Sequence, residues 1–162
     1  MSAVGSCVVG ASSDRSRLDV VYREQFARLM RVAYLMMGSN DIAEDLVHDV
    51  FVRCSQRLGD VDDPASYLRA CVVNACRREH RRRARLEPLD GDSGSTNMPT
   101  LTLDLRRALW KLGVHKRAAV VLRFYADLPF DEVAGVLGCR PATARSLVRR
   151  AMKEMRDDLD ER

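Results

Sequence analysis

The residues best suited to chemistry lie near the end of the chain, at 131–150 (DEVAGVLGCRPATARSLVRR). Val133 and Leu137 are spaced for the buried face of a short helix, and Gly138 permits a tight turn before a second helix that starts at Pro141 or just after it. This pattern is typical of a helix-turn-helix, whose second helix enters the major groove of DNA. The residues predicted to reach phosphates and base edges are Arg140, Thr143, Arg145, Ser146, Arg149 and Arg150. An ordinary helical hairpin with a solvated arginine face is the alternative.

A second basic cluster lies at 77–85, where six of nine residues are arginine and one is glutamate. Such a helix end needs a counter-charge, and a nucleic-acid backbone provides one. Taken alone, a charge run of this kind is more often a solvated face or a tail. Its position one linker away from a DNA-reading motif favours nucleic-acid binding.

The third feature is a predicted helix over 41–58 with more apolar residues than one buried stripe requires. Acidic residues at 44, 45 and 49 form a ridge on the remaining surface. A surplus apolar and acidic face favours docking on a partner protein. A central core helix is the alternative.

Enzyme signatures are missing from the sequence: it contains no phosphate-binding glycine loop, nucleophile elbow, zinc-protease motif or dinucleotide fingerprint. The histidines at 48, 80 and 115 are scattered over separate helices. The five cysteines, at 7, 54, 71, 76 and 139, are odd in number and form no Cys-x-x-Cys pair. We therefore predict a protein that is not an enzyme and has no catalytic residue, metal site or cofactor.

Composition and charge narrow the class further. The 162 residues are 46% hydrophobic and 31% charged, without an apolar run long enough for a membrane span and without a signal peptide. We therefore predict a cytoplasmic protein with no membrane insertion. Of the net charge of +4, residues 1–86 carry +3, residues 87–104 carry −4 and residues 105–162 carry +5. Two basic lobes thus flank an acidic connector.

Helical periodicity and helix-end signals divide the chain into an all-α, two-lobed protein. Gly38 ends the first helix, an Asp41-x-x-Glu44 capping box begins the second, and Pro64 begins a third that runs into the basic cluster. Further helices are expected near 103–112, 115–125, 131–137 and 141–158. The predicted organisation is a loose tail over 1–16, a helical domain over 17–86, a flexible acidic linker over 87–101 and a second helical domain over 102–162.

In this order and spacing, four segments resemble the extracytoplasmic-function (ECF) group of bacterial sigma factors, in the sigma-70 superfamily. They are Ala43–Arg53 (AEDLVHDVFVR), Tyr67–Asn74 (YLRACVVN), Val121–Tyr125 (VLRFY) and the helix-turn-helix. The resemblance covers about 17–156. It implies two helical domains that bind core RNA polymerase and direct it to promoters for a specialised gene set.

The resemblance also implies roles for particular residues. The second helix would bind the clamp helices of the polymerase β′ subunit through Asp45, Leu46, Asp49, Phe51 and Val52. The third would hold the −10 element through Tyr67, Asn74, Arg77, Arg78, Arg81 and Arg82, which suits capture of an unstacked base beside a positive groove. The C-terminal domain would read the −35 element while docking on the β flap, with the linker in the active-site cleft. An anti-sigma factor is a further partner that the resemblance allows.

Two other classes stay open. A stand-alone helix-turn-helix regulator would bind its own duplex operator without core polymerase, whereas a sigma factor would bind promoters well only with it. A protein-interaction module independent of polymerase would use its arginines only for solubility. The second basic cluster and the acidic linker favour the sigma factor.

Overall fold

The computed structural model describes residues 9–86 and 101–161, with side chains from residue 16 onward. It contains seven α-helices in these ranges: α1 (Val9–Met37), α2 (Asn40–Cys54), α3 (Pro64–Leu86), α4 (Leu103–Lys111), α5 (Val114–Val120), α6 (Phe130–Leu137) and α7 (Pro141–Asp160). A 3-10 turn lies at Leu58–Asp60, and a π-helical turn at Val121–Tyr125 extends α5. No strand occurs in the described ranges, and the all-α prediction is confirmed.

The N-terminal lobe consists of α1–α3 and the C-terminal lobe of α4–α7. Helix α1 packs on α2 and α3, and also touches α4, α5 and the π-helical turn of the other lobe. Five consecutive α1 residues, Val32–Met36, are therefore buried on all sides, where an amphipathic surface helix would bury only one stripe. Both lobes share one continuous hydrophobic core.

The end of α1 is shaped by the C-terminal lobe. Gly38 adopts a positive φ of 75°, and its N–H donates to the Tyr34 carbonyl at 2.8 Å. A side chain at this position would begin 3.3 Å from the Trp110 ring, so Gly38 permits both the turn and the approach of the other lobe. The Trp110 indole Nε1 donates to the Leu35 carbonyl at 3.1 Å.

The predicted start of α1 is corrected by the structure. The helix begins at Val9, so the predicted loose tail over 1–16 is helical in its second half; residues 1–8 lie outside the described ranges. The apolar stripe indicated only the buried part of the helix. Once nucleated, a helix can extend past that part because each added residue gains a backbone hydrogen bond.

Both predicted ends of α2 are also wrong. The N-cap is Ser39, without a side-chain cap bond, so the Asp41-x-x-Glu44 capping box does not form. The helix stops at Cys54, where the Ser55 hydroxyl donates to the Val52 carbonyl at 2.8 Å and competes with the helical ladder. The apolar period misled the prediction because Leu58 is buried beyond the turn. The predicted linker over 87–101 lies outside the described residues, except for its last position.

Candidate nucleic-acid and protein interfaces

The C-terminal lobe presents one exposed polar helix face. Gly138 ends α6 in the left-handed conformation, at φ 67°, and α7 begins at Pro141. Four α7 residues at helical spacing are buried against the lobe: Ala144, Val148, Ala151 and Met155. The opposite face exposes five of the six residues predicted to contact −35 DNA: Arg140, Thr143, Arg145, Arg149 and Arg150; Ser146 is half-buried. The structure thus brings the six onto one end of α7.

Arg145 is held by an aromatic residue that the sequence did not single out. Its guanidinium carbon lies 5.5 Å from the centroid of the Phe130 ring, and that of Arg123 lies 5.1 Å from the same ring. Arg123 is itself anchored by donation to the Leu128 carbonyl at 3.1 Å. A guanidinium stacked on a ring keeps the N–H groups on its edge free to donate.

The basic face of the N-terminal lobe lies on α3. Asp63 caps this helix by accepting from the Ser66 backbone N–H at 3.1 Å and its hydroxyl at 2.5 Å, and these bonds lower the pKa of Asp63. The buried side of α3 comprises Leu68, Val72, Val73, Ala75 and Cys76. Of the predicted −10 residues, Asn74, Arg78, Arg81 and Arg82 are exposed, while Tyr67 and Arg77 are half-buried.

Part of this positive charge is neutralised within α3. Glu79 accepts from Arg82 at 2.7 Å and from Arg83 at 2.7 Å. The bond from Arg82 is the largest cause that lowers the pKa of Glu79 to about 2. Arg82 is therefore a paired cation, whereas the sequence suggested six arginines facing one glutamate.

Arg77 faces the other lobe. It donates to the Asn74 side-chain oxygen at 3.3 Å within α3, and across the interface to His115 Nε2 at 2.9 Å and the Leu137 carbonyl at 3.5 Å. Two predicted −10 residues, Asn74 and Arg77, are thus linked to each other, and Arg77 is also bonded to α5 and to the end of α6. No pattern in the sequence indicated this contact between the lobes.

Helix α2 has a mixed surface. Asp45, Asp49 and Val52 are exposed, and Leu46 is half-buried; Val52 has 72% of its surface exposed. Asp49 forms an ion pair with Arg53 at 2.8 Å.

Phe51 is the exception among the predicted docking residues on α2. It is only 5% exposed, and its ring lies 4.8 Å from that of Tyr22. The expectation that Phe51 belongs to the docking surface is therefore corrected: it is a core residue that fixes α2 on α1.

The cysteines do not form a metal site in the described residues, where no group of three or more candidate ligands occurs. Burial raises the pKa of Cys76 to about 12 and that of Cys71 to about 11, so both thiols stay protonated. Cys7 lies outside the described ranges. None of the helices described is long and apolar enough to cross a membrane.

Comparison with known protein families matches both lobes. The description "Sigma-70 region 2" covers residues 21–86 and "Sigma-70, region 4" covers residues 102–155. The ECF RNA polymerase sigma factor EcfG of Rhodopseudomonas palustris is 30% identical over 139 residues, covering 78% of this chain and 76% of EcfG. The ECF RNA polymerase sigma factor SigE of Mycolicibacterium smegmatis is 29% identical over 173 residues, covering 96% of this chain and 67% of SigE.

Not every relative is matched over its whole length. The probable ECF RNA polymerase sigma factor SigI of Mycobacterium tuberculosis is 27% identical, covering 90% of this chain and 56% of SigI. The chain thus spans little more than half of that relative.

Solved structures support the same fold. The sigma factor RpoE, in complex with the anti-sigma factor NepR from Bartonella quintana, superposes with a TM-score of 0.73 at 22% identity, covering 90% of this chain and 96% of RpoE. CnrH, in complex with the cytosolic domain of CnrY, gives 0.70 at 24% identity, covering 93% and 92%.

Fold and matched regions together define a transcription initiation factor of the sigma-70 superfamily. Within it, the chain belongs to the ECF RNA polymerase sigma factors. Such factors are not enzymes, which confirms the prediction of a non-enzymatic protein.

Proposed function

We propose that this chain binds core RNA polymerase and directs it to promoters through a −10 and a −35 element. One observation carries the proposal: two basic helix faces with different chemistry lie in separate lobes, on α3 and at the start of α7. A stand-alone operator-binding protein needs only the second face.

The −35 element is read as duplex DNA by Arg140, Thr143, Arg145, Ser146, Arg149 and Arg150. The stack of Arg145 on Phe130 supports base contact, because a fixed guanidinium suits bidentate donation to a guanine edge. The arginines further along the face are placed to bind phosphates.

The −10 element is held by α3 after strand opening, through Tyr67, Asn74, Arg77, Arg78, Arg81 and Arg82. The Asn74 amide carries both a donor and an acceptor, which suits the base-pairing edge of an extruded base. The exposed guanidinium groups of Arg78 and Arg81 suit the adjacent backbone. Arg82 contributes less than its charge suggests because Glu79 already pairs with it.

The polymerase β′ clamp docks on α2, at Asp45, Leu46, Asp49 and Val52. The exposed Val52 supports this site, and the buried Phe51 stabilises it from behind. For the C-terminal lobe, a groove of about 310 Å³ lined by apolar side chains, among them Leu105, Phe124 and Met152, supports docking of an apolar segment such as the β flap.

We assign residues 17–86 and 102–162 to the two functional domains and place the linker 87–101 in the active-site cleft. An anti-sigma factor is a further proposed partner, since the relatives RpoE and CnrH were solved with NepR and CnrY. As a partner of RNA polymerase, the protein would act in the cytoplasm.

Transcription in vitro with core polymerase on a library of genomic fragments tests the function. We expect defined start sites that appear only when the chain and core polymerase are both present. Specific duplex binding by the chain alone, without core-dependent transcription, would instead establish the stand-alone regulator.

A further inference from the structure

The face of α3 that carries Arg77 is occupied by the C-terminal lobe. Arg77 donates to His115 Nε2 on α5 at 2.9 Å and to the Leu137 carbonyl at the end of α6 at 3.5 Å. Both partners are neutral when His115 is unprotonated, and the second contact is long. These are weaker partners for a guanidinium than an anionic phosphate would be.

The same interface contains a reciprocal pair. Arg117 of α5 donates from Nη1 to His80 Nε2 on α3 at 2.9 Å and to the Met36 carbonyl of α1 at 2.6 Å. Arginine has only donors, so His115 accepts through an unprotonated Nε2, and His80 accepts from Arg117 in the tautomer whose proton is on Nδ1. His80 Nε2 also lies 3.2 Å from the Met36 carbonyl, to which it donates in the other tautomer. Each lobe thus supplies one arginine and one histidine; we call Arg77, His80, His115 and Arg117 the Arg–His clasp.

Arg117 is the buried member of the clasp and bonds to backbone carbonyls of both lobes. It is only 6% exposed, and its Nη2 donates to the Trp110 and Leu112 carbonyls at the end of α4. Together with Met36, these carbonyls belong to the C-terminal ends of α1 and α4, where helix dipoles are negative and acceptors lack helical partners. Arg117 therefore fastens one helix end from each lobe, while Arg77 sits at the solvent-facing rim.

We propose that the face of α3 that carries Arg77 is a shared docking surface. The C-terminal lobe occupies it in the free chain, and single-stranded nucleic acid occupies it in the open form, in which the two lobes have separated. This inference rests on the proposed −10 role of α3. Arg77 cannot keep both of its contacts to the other lobe while wrapping a phosphate. Strand binding therefore separates the lobes, and the closed lobes lower the affinity of free protein for the strand.

The chain carries its own reporter of this separation. Trp110 is its single tryptophan, and it lies in the interface, donating to Leu35 and meeting the Tyr34 ring edge-on at 5.7 Å. Titrating the full chain with single-stranded oligodeoxynucleotides of mixed sequence, at low salt, should shift the Trp110 emission to longer wavelength. The shift should share its midpoint with binding followed by anisotropy of the labelled strand. Strand binding that leaves the emission unchanged would overturn the inference.

A matched pair of variants in α5 tests the masking. H115A removes the partner of Arg77 from the C-terminal lobe, whereas K116Q alters the neighbouring residue, which pairs with Glu154 inside its own lobe. One lost hydrogen bond predicts about threefold to tenfold tighter strand binding by H115A, and no change by K116Q. Melting curves by circular dichroism identify a variant that fails to fold, in which case the wild-type emission titration decides alone.

The outcomes separate this inference from the proposed function. Equal strand affinity of H115A and wild type, or no strand binding by either, would overturn the shared surface even if core-dependent transcription is normal. If the wild-type chain supports no core-dependent transcription but its Trp110 emission still shifts on strand binding, the proposed function is refuted while the shared surface is retained.

Discussion

Arginines with similar sequence contexts have different roles in this protein. Arg117 is buried among helix-end carbonyls, Arg82 is paired with Glu79, and Arg145 is stacked on Phe130. Burial lowers the pKa of Arg117 to about 10, which still leaves it charged at neutral pH. The sequence predicts that these residues are cationic, but it does not predict the contacts of Arg117, because their carbonyl oxygens come from the end of α1 and the end of α4.

At the reading face, we expect Arg145→Ala to weaken binding of duplex −35 DNA by about 1–3 kcal/mol, as loss of a bidentate base contact would. The effect should depend on the base sequence at one position of the element. Competition binding with single-base variants of the element measures it. Arg156→Ala, two turns beyond the proposed reading face, is the matched control; equal losses on every sequence would make Arg145 a backbone contact.

At the scale of the element, α2 shows how far an apolar pattern can be read. The surplus of apolar residues correctly indicated a helix with both a core side and an exposed apolar residue, Val52. The pattern alone could not say that Phe51 faces inward, because Tyr22 and Phe26 of α1 complete the aromatic cluster that surrounds it. For the same reason Leu58, buried beyond a turn, made the helix look longer than it is.

Because Phe51 and Val52 lie on different sides of α2, we expect substitution of the first to lower stability and substitution of the second to lower polymerase binding. Phe51→Ala should lower the free energy of unfolding by about 3–5 kcal/mol through cavity formation. Val52→Glu should leave the melting curve unchanged but weaken association with core polymerase by about 1–3 kcal/mol. Chemical denaturation and competition for core polymerase measure the two effects. Normal competition by Val52→Glu would remove α2 from the proposed polymerase interface.

At the scale of the whole molecule, the sequence predicts the helices but not how the lobes meet. Helical periodicity and the glycine turns placed most of the helices near their observed positions. The contact between lobes was missed because its main residue, Arg117, reads as an ordinary surface cation directly before the apolar run Ala118–Leu122. The π-helical turn was missed as well, since a single turn of i→i+5 bonds, such as that from the Ala126 N–H to the Val121 carbonyl at 2.9 Å, leaves no periodic signal in the sequence.

The interface between lobes should weaken in acid. The pKa values of His80 and His115 lie below their ordinary value of about 6.5. Burial is the larger cause, and the second is the positive charge of a neighbouring arginine, Arg117 at His80 and Arg77 at His115. The charged groups around them are Arg117, Arg83 and Glu79 at His80, and Arg77 and Arg81 at His115.

Above pH 7 both histidines are neutral in the closed and open forms, and the clasp is intact. As pH falls below the ordinary histidine pKa of about 6.5, His80 and His115 take up protons in the open form before they do so in the closed form. The closed form therefore loses stability relative to the open form, until the pH has fallen below the lowered pKa values of the closed form. Trp110 emission between pH 8 and 5 should therefore shift to longer wavelength, less so in H115A. An emission spectrum independent of pH would contradict this linkage.

Permanganate reactivity of unpaired thymines in promoter complexes tests most directly whether this chain initiates transcription by capturing an opened strand. With core polymerase and wild-type chain, we expect reactive thymines at the −10 element, and neither component alone should produce them. Asn74→Ala should bind the closed promoter nearly as well but leave these thymines unreactive, because the amide that holds the extruded base is missing. Wild-type reactivity in Asn74→Ala, or no reactive thymines with wild-type chain on a promoter that it binds together with core polymerase, would contradict this account.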